Sequence, residues 1–205
     1  NNLEWTSAMI KLGLINTWEQ PELTSLNKLP PRATFVQYAT EKEAREGGAS
    51  RSSRVVPLNG QWQFRCEAAP EDAIRYTKPA VAAAAEWDTI QVPGNLQTQG
   101  YDKPHYTNIK MPFDHEPPLV PKGNPTGVYR RLFRLPSNWA GSRVVLHFGG
   151  ATSVLSVYLN GTVIGLSKDS CLPAEFDITP VIRPNVDNEL VAIVIKWYDA
   201  SYIED

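Results

Sequence analysis

The dipeptide Asn160-Gly161 stands between two apolar runs, Val154-Leu155-Ser156-Val157-Tyr158-Leu159 and Thr162-Val163-Ile164-Gly165-Leu166. A two-residue type I′ turn needs positive φ at both central positions, and Asn followed by Gly meets that need with least strain. This pattern predicts a β-hairpin and commits that part of the chain to antiparallel sheet. The neighbouring segments agree. Gly127–Leu135, Arg143–Phe148 and the short Glu175–Ile178 read as strands. Glu189–Trp197 is apolar at every position from Leu190 to Ile195, the pattern of a strand buried on both faces. Short strands separated by turn signals indicate a β-sandwich or jelly roll.

The first half is less regular. Leu58–Cys66 alternates, with Trp62, Phe64 and Cys66 on one face and Gln61, Gln63 and Arg65 on the other, which is a half-buried strand. Trp87–Val92 is a second extended run, stopped by Pro93-Gly94, and the Ala-rich 80–86 segment reads as a short helix. Before residue 58 the chain reads as an irregular arm, 1–57, laid across the surface of something else. Within it we expect a short amphipathic turn from Trp5 to Ile15, a solvated helix at Glu41–Glu46 ended by Gly47-Gly48, and a mobile Ser/Arg-rich loop from Ala49 to Arg54. No internal repeat and no long helix is visible. The first residue is Asn rather than Met and the chain stops at Glu204-Asp205, which suggests a piece of a longer protein.

Composition excludes several classes of function. Lys+Arg 20 against Asp+Glu 22 gives a net charge of −2, unlike an electrostatic nucleic-acid binder. No apolar stretch approaches the ~18 residues of a membrane span. Two cysteines, Cys66 and Cys171, allow one bridge at most and no multi-Cys zinc site, and neither has a neighbour that would activate its thiol. There is no Gly-x-Ser-x-Gly elbow and no Gly-rich phosphate loop. His147 lies in a strand and reads as a core or surface residue. His105 and His115 show no metal-ligand spacing. Glycoside chemistry needs two acids; the candidates are Asp169, Glu175, Asp177, Asp199, Glu204 and Asp205, and we expect no complete catalytic pair within this chain.

The strongest functional candidate is the long irregular stretch 94–125. Loops of this length inside a compact domain are functional or disordered, and its Tyr101, His105, Tyr106, Met111 and Phe113 argue for order. Tyr101–Asn108 mixes aromatic rings with amide, hydroxyl and carboxylate groups, the equipment for stacking on a sugar ring and bonding its hydroxyls. The same residues also fit a structural role, with Tyr101 and Tyr106 as packing anchors and Asn108 as a turn residue.

At this point the sequence resembles a known family. Leu58-Asn59-Gly60-Gln61-Trp62-Gln63-Phe64 resembles the Leu-Asn-Gly-x-Trp-x-Phe opening of glycoside hydrolase family 2. Tyr101–Asn108, Asn124-Pro125-Thr126-Gly127-Val128-Tyr129, Leu172–Asp177 and Lys196–Asp205 resemble four further blocks of that family, in the same order. Trp18-Glu19-Gln20-Pro21 and Leu26-Asn27-Lys28-Leu29 are similar to segments of its β-galactosidase branch. The resemblance implies an all-β fold, a jelly-roll β-sandwich of the galactose-binding-domain type occupying 58–205 behind the arm 1–57. It implies the N-terminal sugar-binding domain of a retaining β-galactosidase, whose immunoglobulin-like and catalytic barrel domains lie elsewhere.

Residue by residue, the resemblance implies substrate contact for Asn108, which matches the Asn reaching the galactosyl unit, and for Ile109 at the pocket wall. It implies no catalytic residue here, because the acid/base and nucleophile glutamates of the family lie on the barrel. The resemblance implies magnesium and sodium in the parent enzyme and no cofactor in this chain. The sodium-linked Asp falls two positions beyond the Glu204-Asp205 pair. A second magnesium site corresponds to Thr17, Gln20, Lys168 and Asp199, where only Asp199 remains an acid, so we expect no metal in this chain. Arg is usual where Cys171 stands, which implies the loss of a local ion pair. The implied partners are a galactoside and the remaining domains of a homo-oligomeric parent, with no nucleic acid and no membrane. A free-standing carbohydrate-binding module, and a family 2 glucuronidase or mannosidase, stay open as alternatives, as does a periplasmic, secreted or cytoplasmic location.

Overall fold

A computed structural model describes residues 11–12, 15–48, 51–107 and 110–203. In chain order the elements are β1 (Lys11–Leu12), β2 (Ile15–Asn16), β3 (Ser25–Leu26), α1 (Glu41–Glu46), β4 (Gly60–Glu67), α2 (Pro70–Ala73), α3 (Pro79–Ala84) and β5 (Asp88–Val92). The second half adds β6 (Thr126–Phe133), β7 (Val145–Phe148), β8 (Val154–Leu159), β9 (Thr162–Ser167), β10 (Ala174–Asp177) and β11 (Asn188–Ile195). Seven strands form one antiparallel sheet in the order β3-β9-β8-β11-β6-β4-β5, and β10 pairs with β7 in a second layer. This is the all-β sandwich the strand pattern implied, with one wide sheet and a small facing one. Among the described residues no helix is long and apolar enough to cross a membrane.

The wide sheet is buried on both faces, and β11 at its centre shows why its sequence is apolar throughout. Leu190 and Ala192 enter the core between the two sheets, beside Trp62, Phe64, Leu146 and Phe176. Val191, Ile193 and Ile195 point the other way, into a second core with Trp18, Tyr76, Val120 and Tyr158. Each large side chain so buried contributes about 1.5–3 kcal/mol. The second core needs a cover, and α2 with the turn Ile74–Thr77 supplies Ala73 and Tyr76. Those two short helical turns carry no strong periodic signal, and sequence reading missed them.

The hairpin forms as expected. Asn160 and Gly161 have φ of 54° and 79°, and Leu159 pairs with Thr162 across the turn. The Asn160 side chain also accepts from the Glu189 N–H at 3.0 Å and donates to Asn188 Oδ1 at 2.9 Å, tying the turn to the start of β11. In β4, Trp62 and Phe64 face the core while Gln63 accepts from Arg130 on the opposite face. The solvated helix α1 is capped by Thr40, whose hydroxyl accepts from Glu43 N–H at 3.2 Å, and ends at Gly47 with φ of 72°.

The described part of the arm is bound into this chain's own sheet. Its β3 pairs with β9 through Ser25–Ser167 and Leu26–Leu166, and Trp18 is 3% exposed in the second core. The physical reason is that β9 presents an unpaired edge and the sheet an apolar outer face, and the arm covers both. Most of the amphipathic turn expected over Trp5–Ile15 lies outside the described residues; Lys11–Leu12 and Ile15–Asn16 form a two-strand ladder. Ala49 and Ser50 of the expected mobile loop also lie outside them, whereas Ser52 is buried and its hydroxyl donates to Gln37 O. The opposite sheet edge, β5, is sealed by the chain that follows it. Gln99 bonds both the N–H and the C=O of Gln91, at 2.9 and 3.1 Å, and Tyr101 OH donates to Thr89 O at 3.0 Å.

Candidate functional site

The 94–125 loop leaves the β5 edge and crosses the end of β11, where it is held at several points. Tyr101 packs its ring edge-on to Phe64 at 4.5 Å and so plants the loop in the main core. Beyond it, one ammonium gathers the chain. Lys196 Nζ donates to the Asp102 carboxylate, to Lys103 O at 3.0 Å and to His105 Nδ1 at 2.9 Å. A lysine has donors only, so His105 accepts at Nδ1 and carries its proton on Nε2. Burial raises the Asp102 carboxyl, but the hydrogen bond and charge of Lys196 outweigh that and hold it below the ordinary value. The Cys66 thiol nearby is pushed up by burial and by the Asp102 charge, the reverse of an activated thiol.

Trp197, the next residue, takes the other limb. Its ring meets His105 at 5.4 Å and Phe113 at 5.2 Å. Its main chain is held by the fully buried Asn124, whose side chain accepts from Trp197 N–H and donates to Trp197 O, both at 2.8 Å. Tyr202 OH shares its single proton between His115 O at 3.1 Å and Leu119 O, and Glu19 of the arm accepts from Val120 N–H at 3.1 Å. Tyr101, His105 and Phe113 thus anchor the described parts of the loop. Tyr106 remains 72% exposed. Asn108 and Ile109, the residues singled out for substrate contact, lie outside the described residues. Lys196, Asn124 and Tyr202 were not singled out from the sequence as holders of the loop, since each acts on residues about 70 to 95 positions away.

Each described acid considered for glycoside chemistry is already committed to a cation. Asp169 pairs with Lys28, Glu175 with Arg32 at 2.6 Å and His147 at 3.0 Å, Asp177 with Arg143 at 2.7 Å, and Asp199 with Lys168. Glu204 and Asp205 lie outside the described residues. His147 is a surface residue on β7, directly opposite Glu175 on β10. Arg32, Phe35, Arg143 and Glu175 line an open groove beside the small sheet, but its charged groups are bound to one another or to Asp177. Among the described residues no group of three His, Cys, Asp or Glu could hold a metal ion.

The four positions corresponding to the family's second magnesium site do converge. Lys168 Nζ donates to Thr17 O at 3.2 Å, to Gln20 O at 2.9 Å and to the Asp199 carboxylate, with both charged side chains 5% exposed. Magnesium demands oxygen ligands at about 2.0–2.1 Å in near-octahedral array. An ammonium already occupies the focus of these oxygens, so the residues present do not fit a divalent ion.

The architecture is a two-layer β-sandwich with an aromatic loop held at the end of β11, and comparison with known proteins gives the family. Residues 55–205 match the family model described as "Glycosyl hydrolases family 2, sugar binding domain", and the chain belongs to that family. It is 40% identical over 188 residues to a β-galactosidase of Psychromonas ingrahamii, and 42% over 190 residues to one of Vibrio vulnificus, in each case 92% of this chain and 18% of that protein. A β-galactosidase of Vibrio cholerae is 41% identical over 197 residues, 94% of this chain and again 18% of that protein. The chain thus spans under a fifth of the length of these curated relatives. Among solved structures, a β-glucuronidase of Bifidobacterium dentium complexed with coumarin-3-O-glucuronide matches with a TM-score of 0.50 and 27% identity, over 68% of this chain and 19% of that one.

Proposed function

We propose that this chain is the N-terminal sugar-binding domain of a β-galactosidase, with an arm at 1–57 and the jelly roll at 58–205. The observation that carries this reading is the 40–42% identity to β-galactosidases over nine-tenths of the chain. The domain shapes one wall of a galactoside pocket with the 94–125 loop, and Asn108 and Ile109 make the sugar contacts. A retaining mechanism uses two carboxyl groups about 5–5.5 Å apart. That pair comes from another domain of the parent, since the described candidate acids here are each neutralised by a cation. Catalytic magnesium or sodium belongs to the parent and not to this chain. The parent assembles as a homo-oligomer.

The test is hydrolysis of nitrophenyl glycosides. The full-length protein that carries this chain turns over the β-galactoside, and the 205-residue chain alone does not. Turnover by the isolated chain would refute the accessory role. A second reading, a β-glucuronidase, is favoured by the Bifidobacterium structure; preference for the nitrophenyl glucuronide would establish it instead.

A further inference from the structure

Both limbs of the 94–125 loop end on the same two residues at the end of β11. Lys196 binds Asp102, Lys103 and His105 on the ascending limb, and Trp197 packs His105 on that limb and Phe113 on the descending one. In sequence between these anchors, the described Tyr106, Thr107 and Lys110 are exposed. The anchor itself is rigid. Lys196 N–H donates to Pro125 O at 3.2 Å, and Lys196 O accepts from Ser153 Oγ at 2.9 Å. The Lys196 and Asp102 side chains are 13% and 12% exposed, so their bond is little screened by solvent.

We propose that Lys196 is a positioning residue for substrate binding, acting through Asp102 and His105 to hold the limb 102–107 of this loop in register with the sugar. The proposal rests on the reading that the loop faces a galactoside. A polar group on an unrestrained loop would spend binding energy on ordering itself, and misplacement by about 1 Å costs up to about a hundredfold in rate. One ammonium bonded to three loop groups removes that freedom on the limb leading to Asn108. It does so without touching the sugar.

The experiment uses the full-length protein carrying this chain, with the substitutions K196M, K196R, D102N and N108A. K196M and D102N are expected to raise KM for nitrophenyl-β-galactoside about tenfold or more at a temperature where each variant is fully folded, although loss of the pair also lowers the thermal midpoint. The double variant K196M/D102N is expected to cost no more than K196M, because the two residues share one interaction. K196R, which keeps the charge and several donors, is expected to recover much of the loss. D102N leaves β11 intact and serves if K196M fails to fold. KM within about twofold of wild type in folded K196M and D102N overturns the proposal, as does a loss explained wholly by unfolding. N108A separates the two ideas: an unchanged KM in N108A alone refutes the Asn108 contact and leaves the clamp standing. Hydrogen exchange over residues 101–107 needs no activity; faster exchange in K196M supports the clamp, and unchanged exchange overturns it.

Discussion

The Lys168 ammonium donates to the Asp199 carboxylate and to two carbonyl oxygens of the arm, Thr17 and Gln20, at a point where both side chains are only 5% exposed. Three segments far apart in sequence meet there: the turn Thr17–Glu19, the end of β9 and the turn Asp199–Tyr202. The linking cation is a side chain, so this junction is expected to be indifferent to chelators. EDTA should leave the unfolding midpoint of the chain unchanged. K168M strands a buried carboxylate and should destabilise by about 3–5 kcal/mol. K168M/D199N, which leaves no charge, should lose less than K168M alone. Chemical denaturation measures all three, and a midpoint that falls on adding EDTA would show a metal holding this junction.

Tyr158 is fully buried in the second core, and its hydroxyl has no hydrogen-bond partner among the described residues. Burial pushes its phenol pKa well up. An unpaired buried hydroxyl costs about 1–3 kcal/mol, so Y158F should be neutral or stabilising, by up to about that amount. Equilibrium unfolding in urea decides it. A clear loss of stability would mean that the hydroxyl is bonded after all.

Arg130 and Glu189 lie diagonally across the β6–β11 ladder, with Nε 2.5 Å from Oε1 and side chains 10% and 11% exposed. Arg130 also donates to Gln63 on β4, so one guanidinium ties three adjacent strands together. R130M removes the charge paired with Glu189 among the described residues and should cost about 3–5 kcal/mol. E189Q, which keeps an acceptor, should cost less. Equal losses in the two variants would show that the packing of the arginine stem, not its charge, carries the effect.

The lowered Asp102 carboxyl makes the loop anchor acid-sensitive. Its folded value lies below the ordinary 3.8, so the anchor's contribution to stability is complete above about pH 5. It is lost as pH falls through 3.8 toward the depressed folded value. Hydrogen exchange over 101–107, corrected for intrinsic rate, should therefore accelerate in wild type below about pH 4. D102N should lack that step. A step of the same size in D102N would assign it to another carboxyl.

The legibility of this protein is uneven for a physical reason. Where a residue's environment is set by its neighbours in sequence, the reading succeeds. Asn160-Gly161 encodes its own turn, the alternation of Trp62, Phe64 and Cys66 marks one face of β4, and Thr40 with Gly47 brackets α1. The unbroken apolar run of β11 requires burial on both sides, although it does not say by what. The family blocks locate the loop and nominate Asn108 and Ile109 within it.

What holds that loop was not legible. Lys196 reads as one more charged residue at a strand end until β11 brings it beside Asp102, 94 positions away. Likewise Trp18 and Leu26 read as parts of a loose arm until the free edge of β9 and the apolar outer face of the sheet give them a place. By itself the sequence determined the strands from residue 60 onward, the Asn160-Gly161 turn and the family. Only the tertiary structure decided which charges meet, because hydrogen bonds and ion pairs act over a few ångströms of space and leave no periodic trace along the chain.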